Sequence, residues 1–477
     1  MTASTENLDR TLTTLGAFGA CMVAMWIARG DNAGPLVARF EPPPIADLAD
    51  VADDGAITAG PGFVGQPVEA EVDEPPPLPA RPNFGGGGAA PVNIPKPKQA
   101  IEDTCLDGAA CTHHAMDGFY AQLAATEAGK AKAPARVSYY GDSVSATDQL
   151  PGRVRARLQD AFGDGGPGFV FAAKPHRFNH NHTVDQTEKG WAAYGVSTVS
   201  VSDSLYGVGG STAEAVGDGS IKIKPRTPSG KVSHVDVYYL AQPHGGGVEL
   251  SVDGQVQATI DTGADAKRAG FQAIDVPDAA HKIELKVTGG RVRLFGLTLE
   301  RPTGVVVDNM AIVSATAKNE GQNLADHWKN QLAHRGADLI IVMLGTNEAE
   351  WLFGGQKSMA EYQGVFEKLL APIRAGRPGA ACLVVAPLDQ AEMKDEKLVS
   401  RPVMPHMVET QRRAAIAQGC AFYDTYTWQG GKGSAIKWNR RGLVGTDFQH
   451  LSEKGSAMVA DGLVDALLAG YAEYKAR

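Results

Sequence analysis

Val137-Ser138-Tyr139-Tyr140-Gly141-Asp142-Ser143-Val144-Ser145 is a β-prone run that stops at a Gly-Asp-Ser turn, with a helix-compatible segment (149–162) behind it. A serine placed there stands off the carboxyl end of a strand, beside the free backbone N–H groups of a helix start. Open α/β sheets hold their chemistry at that place. The tripeptide also makes ordinary turns, so alone it decides nothing. Two later stretches repeat the pattern. Ile340-Ile341-Val342-Met343-Leu344-Gly345-Thr346-Asn347 is an apolar run ending in a second turn, and Asp447-Phe448-Gln449-His450 precedes a C-terminal helical segment. Further strands are expected at 305–307, 381–386 and 421–424, with helices at 115–130, 319–335, 358–374, 404–418 and 452–474. Strands alternating with helices predict an α/β fold, a doubly wound parallel sheet covered on both faces.

With these three blocks in this order, the chain resembles the SGNH/GDSL-type serine hydrolases. Within them it is similar to peptidoglycan and polysaccharide O-acetylesterases that carry an inserted β-sandwich. The resemblance covers about 130–195 and 303–475. It implies a flavodoxin-like sheet, Ser143 as nucleophile, His450 as its base and Asp447 as the group that orients His450. A serine hydroxyl is a poor nucleophile until a base takes its proton, and histidine has the pKa for that. An aspartate three residues before the histidine can reach Nδ1 from the same turn. Asn347, with Gly345 of the same block, is expected to bind substrate and the oxyanion, together with the Ser143 N–H. The family's second block supplies a glycine N–H as third donor, but residues 308–315 contain no glycine. Ser314 takes that place if its backbone conformation is open to a non-glycine residue. No cofactor is implied.

Between about 186 and 302 the pattern changes to short alternating runs (197–201, 232–240, 248–252, 283–287, 292–299) separated by Gly and Asp-Gly turns. That predicts an all-β sandwich, jelly-roll-like, inserted into the α/β layer. It resembles the carbohydrate-binding-like modules of the acetylesterases, and two roles stand open: gripping a glycan, or plain structure. Aromatics able to stack on sugar are few, among them Tyr206, Tyr238, Tyr239 and Phe271.

A net charge of -9, with no dense Lys/Arg tract, argues against a nucleic-acid partner. Residues 11–28 carry no charge and lie between Arg10 and Arg29. They read as a membrane anchor or a signal peptide, with Cys21 a weaker candidate lipoprotein site, and each reading exports the rest of the chain. Pro-, Gly- and acid-rich sequence follows to about residue 100 and reads as an unstructured tether. The expected layout is 1–30 anchor, 31–100 linker, 101–185 first hydrolase segment, 186–302 insert and 303–477 second hydrolase segment. Cys105 and Cys111 are expected to form a disulfide on the exported side. Cys382 and Cys420, each in an apolar run, read as buried thiols. Neither the cysteines nor the histidines (His113, His114, His176, His180, His182) show metal-site spacing. The expected activity is removal of acyl groups, chiefly acetyl, from a cell-envelope polysaccharide such as peptidoglycan. An acyltransferase using the same three residues and a catalytically weak glycan-binding protein are the alternatives.

Overall fold

The computed structural model describes residues 96–394 and 396–477, so the 11–28 segment, Cys21 and nearly all of the linker lie outside the described residues. Five strands build the central layer: β1 (Ala135–Gly141), β2 (Val305–Asn309), β3 (Leu339–Met343), β4 (Ala381–Val385) and β5 (Ala421–Tyr423). All neighbours are parallel, in the order β2-β1-β3-β4-β5. The strands β2 to β5 are buried along their whole length, as expected of a sheet covered on both faces. The helices are α1 (Asp117–Glu127), α2 (Ser143–Ala146), α3 (Gln149–Phe162), α4 (Ala325–Arg335), α5 (Thr346–Phe353), α6 (Met359–Gly376), α7 (Met404–Ala417) and α8 (Glu453–Ala476), with four further short helical segments, one of them a 3-10 turn, among the described residues. Leu339, Ile341 and Met343 share one core with α1, α3 and α8; Ile340 and Val342 share the other with α4, α6 and α7. Strand order reverses between β1 and β3. The carboxyl ends of those two strands therefore bound a crevice, where ligands bind in open sheets of this kind.

Two antiparallel sheets lie between α3 and β2 in sequence. One runs Arg268–Ala280, Lys231–Ala241, Arg291–Glu300, Ser211–Val216, Ala192–Gly195; the other runs Val184–Lys189, Ser220–Pro225, Ile283–Gly289, Gly247–Val252, Gln255–Asp261. Val235, Val237, Leu294 and Leu297 of the first pack with Ile221, Val248, Leu250 and Leu285 of the second. Gly168–Phe171, expected in the first hydrolase segment, pairs with residues 296–299 and so joins the first of these sheets. The strand Val184–Lys189 straddles the expected boundary at 185/186.

Three expectations are corrected. Residues 197–201 are not a strand: the Gly195 N–H closes a turn on the Val199 carbonyl, and Ser197 Oγ donates to the Val313 carbonyl. The Ser/Val alternation there serves a loop that meets the parallel layer. The helix expected over 319–335 is broken after Glu320, where Gly321 caps a single turn and α4 starts afresh at Ala325. Cys382 and Cys420 are not thiols. They are bonded across β4 and the residue before β5, with Cα atoms 4.6 Å apart, because β4 and β5 are sheet neighbours. Cys105 and Cys111 are also joined. Among the described residues no helix is long and apolar enough to cross a membrane.

Candidate active site

The turn after β1 puts Ser143 at the first position of α2. Asp142 caps that helix, accepting from the Val144 N–H at 3.0 Å, and its other oxygen accepts from the Thr346 N–H at 3.2 Å. One buried carboxylate thus ties the turn after β1 to the turn after β3. Burial raises the Asp142 pKa, against the hydrogen bonds from Val144 and Thr346 that lower it.

Ser143 Oγ lies 2.7 Å from His450 Nε2, and His450 Nδ1 lies 2.5 Å from Asp447 Oδ2. The Asp447–His450 turn is held by the His450 and Gln449 N–H groups on Asp447 Oδ1, and Phe448 passes through it with a φ of 56°. Both side chains are about half exposed, at 45% and 48%. The hydrogen bond that His450 donates to Asp447 raises the His450 pKa above its ordinary value, with burial opposing. Burial pushes Asp447 up, but the hydrogen bonds from His450 outweigh it and hold the carboxylate low. A neutral imidazole placed this way can take the Ser143 proton, and its charged form is stabilised where it arises.

Asn347 sits in the first turn of α5. Its Nδ2 donates to the Ala315 carbonyl at 2.8 Å, which fixes the amide and leaves a second N–H on the same nitrogen. Gly345 caps α5 with a φ of 131°, and a Cβ there would come within 2.9 Å of Pro387 and 3.1 Å of Gln411. Its role is to make the turn. Ser314 is exposed and takes a φ of 62°, the left-handed conformation that normally calls for glycine. The backbone geometry of a glycine is therefore present without the glycine.

Sequence reasoning passed over the residues that hold these parts together. Buried Glu348, next to Asn347, accepts the Ala317 N–H at 2.7 Å, so consecutive side chains of α5 grip the loop after β2 on both sides of Thr316. Burial, with a contribution from Asp142, pushes Glu348 up to about 8. From the loop at 174–183, Asn179 Nδ2 donates to the Ala311 carbonyl at 2.7 Å, and the His180 N–H donates to the Ala146 carbonyl at 3.0 Å. An acid directly after Asn347 was the one local signal; the others are long-range contacts. Cys105, Cys111 and His114 are the one group of metal-ligating residues found close together among the described residues, and the two sulfurs there are spent on each other.

Residues 287–458 match the model of the GDSL-like lipase/acylhydrolase family. That span holds residues 308–315, the Gly345-Thr346-Asn347 turn and the Asp447–His450 turn, while Ser143 lies before the insert. A solved peptidoglycan O-acetylesterase superposes with a TM-score of 0.64 at 24% identity, over 75% of this chain and 96% of that one, a likeness of fold. An acetylxylan esterase from Geobacillus stearothermophilus (16% identity, 34% and 73% covered, TM-score 0.26) and a salicylyl-acyltransferase of a tetracycline pathway (12%, 63% and 96%, 0.29) are more distant. No curated relative matches the chain.

Proposed function

We propose that the chain, whose residues 287–458 match the GDSL-like lipase/acylhydrolase model, is a carboxylic ester hydrolase of SGNH type that removes O-acetyl groups from a cell-envelope polysaccharide such as peptidoglycan. The observation that carries the reading is the hydrogen-bonded run from Ser143 through His450 to Asp447 at the carboxyl ends of the sheet. Ser143 Oγ attacks the ester carbonyl carbon as His450 Nε2 takes its proton, and Asp447 holds the imidazolium. The tetrahedral oxyanion is met by the second N–H of Asn347 and the backbone N–H groups of Ser143 and Ser314. Collapse expels the sugar alkoxide, protonated by His450. Water, activated by the same imidazole, then releases acetate from the acyl-serine.

A polysaccharide is favoured because the loops at 174–183 and 195–205, tied to the segment after β2, carry amide, imidazole and hydroxyl groups, and because the solved esterase of like fold acts on peptidoglycan. The uncharged 11–28 segment would export the chain to such a substrate. The test is acetate release from O-acetylated peptidoglycan by the full-length chain and by Ser143→Ala. Release that falls by about 10³-fold or more with Ser143→Ala is expected. Equal release from both proteins defeats the proposal. Acetyl transfer to an added acceptor glycan in place of acetate release would make the enzyme a transferase.

A further inference from the structure

At the seam between the β insert and the parallel layer lies a cavity of about 570 Å³. Its wall is polar and planar: Asn179, Asn181, His180, His182 and Gln186 line it, with Asn309 at the end of β2. The wall is joined to the catalytic turns. Asn309 Nδ2 donates to the Ser145 carbonyl at 3.3 Å, the His180 N–H to the Ala146 carbonyl, and Asn179 Nδ2 to the Ala311 carbonyl. Amides and imidazoles around a space of this size suit a sugar ring, whose hydroxyls both donate and accept. Asn179 is only 4% exposed and is held in the wall by its bond to the Ala311 carbonyl.

The charges select the sugar. Lys174 lines the cavity and has no ion pair among the described residues. Arg226 shares its charge with Asp185 at 2.9 Å. Burial, then Lys174 and His182, lowers the His180 pKa and favours its neutral form. One uncompensated cation remains. A second cavity of about 710 Å³ shares His182 and Arg226 with the first and reaches Asp148, behind α2, and Lys454, in the first turn of α8 after His450. The second cavity therefore reaches α3 and α8, the helices that follow Ser143 and His450 in sequence.

We propose that the seam cavity is a saccharide subsite for a carboxylate-bearing sugar of an acidic polysaccharide, with Lys174 as the partner of the carboxylate. The acylated sugar would occupy the catalytic end of the same strand, so the inference rests on the polysaccharide reading and narrows it to acidic strands. The test measures binding without turnover, using full-length chain carrying Ser143→Ala. Its probes are a peptidoglycan tetrasaccharide with free lactyl carboxylates and the same tetrasaccharide with those carboxyls reduced to alcohols. The acidic strand should bind about tenfold more tightly. Adding Lys174→Glu, an exposed change, should weaken the acidic strand about tenfold and erase the difference. Equal affinity for both probes, no binding of either, or an acidic-strand affinity untouched by Lys174→Glu overturns the subsite. Acetate release by the unsubstituted enzyme tests the esterase reading separately, so the two can fail independently.

Discussion

His450 accepts a proton only when neutral, so activity must appear as pH rises through its pKa. The hydrogen bond and charge of Asp447 raise that pKa above the ordinary histidine value, which moves the acidic limb of the rate profile upward. In Asp447→Asn both influences vanish. The limb should then shift to lower pH while the rate at its plateau drops by up to about 10⁴-fold. A pH profile of kcat/KM with p-nitrophenyl acetate checks this, and an unmoved limb would mean that Asp447 does not orient and charge-pair His450. Ser314 allows a second test at this scale. Its φ of 62° costs an L-residue about 1–2 kcal/mol that glycine avoids. Ser314→Gly keeps the N–H and the conformation, so kcat should stay within about threefold. Ser314→Val places a β-branched side chain where positive φ is least tolerated. Its kcat should fall toward the 10²–10³-fold typical of a lost oxyanion donor, with KM little changed. Equal kcat in the two variants would mean that the Ser314 N–H is not used.

Among the elements, β5 is the least secure, being three residues long and at the sheet edge. The Cys382–Cys420 bond pins it to β4. The bond closes a loop with a sequence separation of 38, which on loop entropy is worth about 4 kcal/mol. Cys382→Ala combined with Cys420→Ala should lose about that much in urea unfolding of the oxidised protein. An unchanged midpoint would show that the bond does not form. The same element shows where sequence reading stops. The strands of the parallel layer were legible because each is a continuous apolar run that must be buried on both faces, and Leu339–Met343 and Ala381–Val385 came out within a residue or two. The cystine was hidden because it needs β4 beside β5, and strand order is not written in either run. Gly168–Phe171 was hidden likewise, since its partner lies more than a hundred residues on. Ser143 and Asn347 were legible as motif residues at strand ends, and His450 as one before a helix. Asp142 as a tie, Glu348 as a clamp and Asn179 as an anchor were not, because each acts on backbone far away in sequence.

At the scale of the whole molecule, the insert is fastened to the parallel layer by buried charge. Arg335, at the end of α4, donates to Asp308 of β2 at 2.8 and 2.9 Å and to Glu300, the last residue of the insert's final strand, at 2.6 Å. Arg136 of β1 holds the same Glu300 at 2.7 Å. Burial alone would raise the Glu300 pKa, but Arg335 and then Arg136 bring it down to about 2, so the carboxylate is charged at neutral pH. Two guanidinium groups face two carboxylates, and the set is balanced. Ser138 Oγ and the Phe169 N–H complete the Asp308 shell, which brings the Gly168–Phe171 strand into the same knot. A balanced buried network need not stabilise relative to apolar residues, yet removing one member leaves its partner charged and dry, at a cost of about 3–5 kcal/mol. Arg335→Met keeps most of the side-chain volume and strips Asp308 of its cation. It should lower unfolding free energy by about that amount, and adding Asp308→Asn should restore part of it, because the two sites are coupled. Urea unfolding of the single and double variants decides the point. Additive losses would mean that Arg335 and Asp308 act separately.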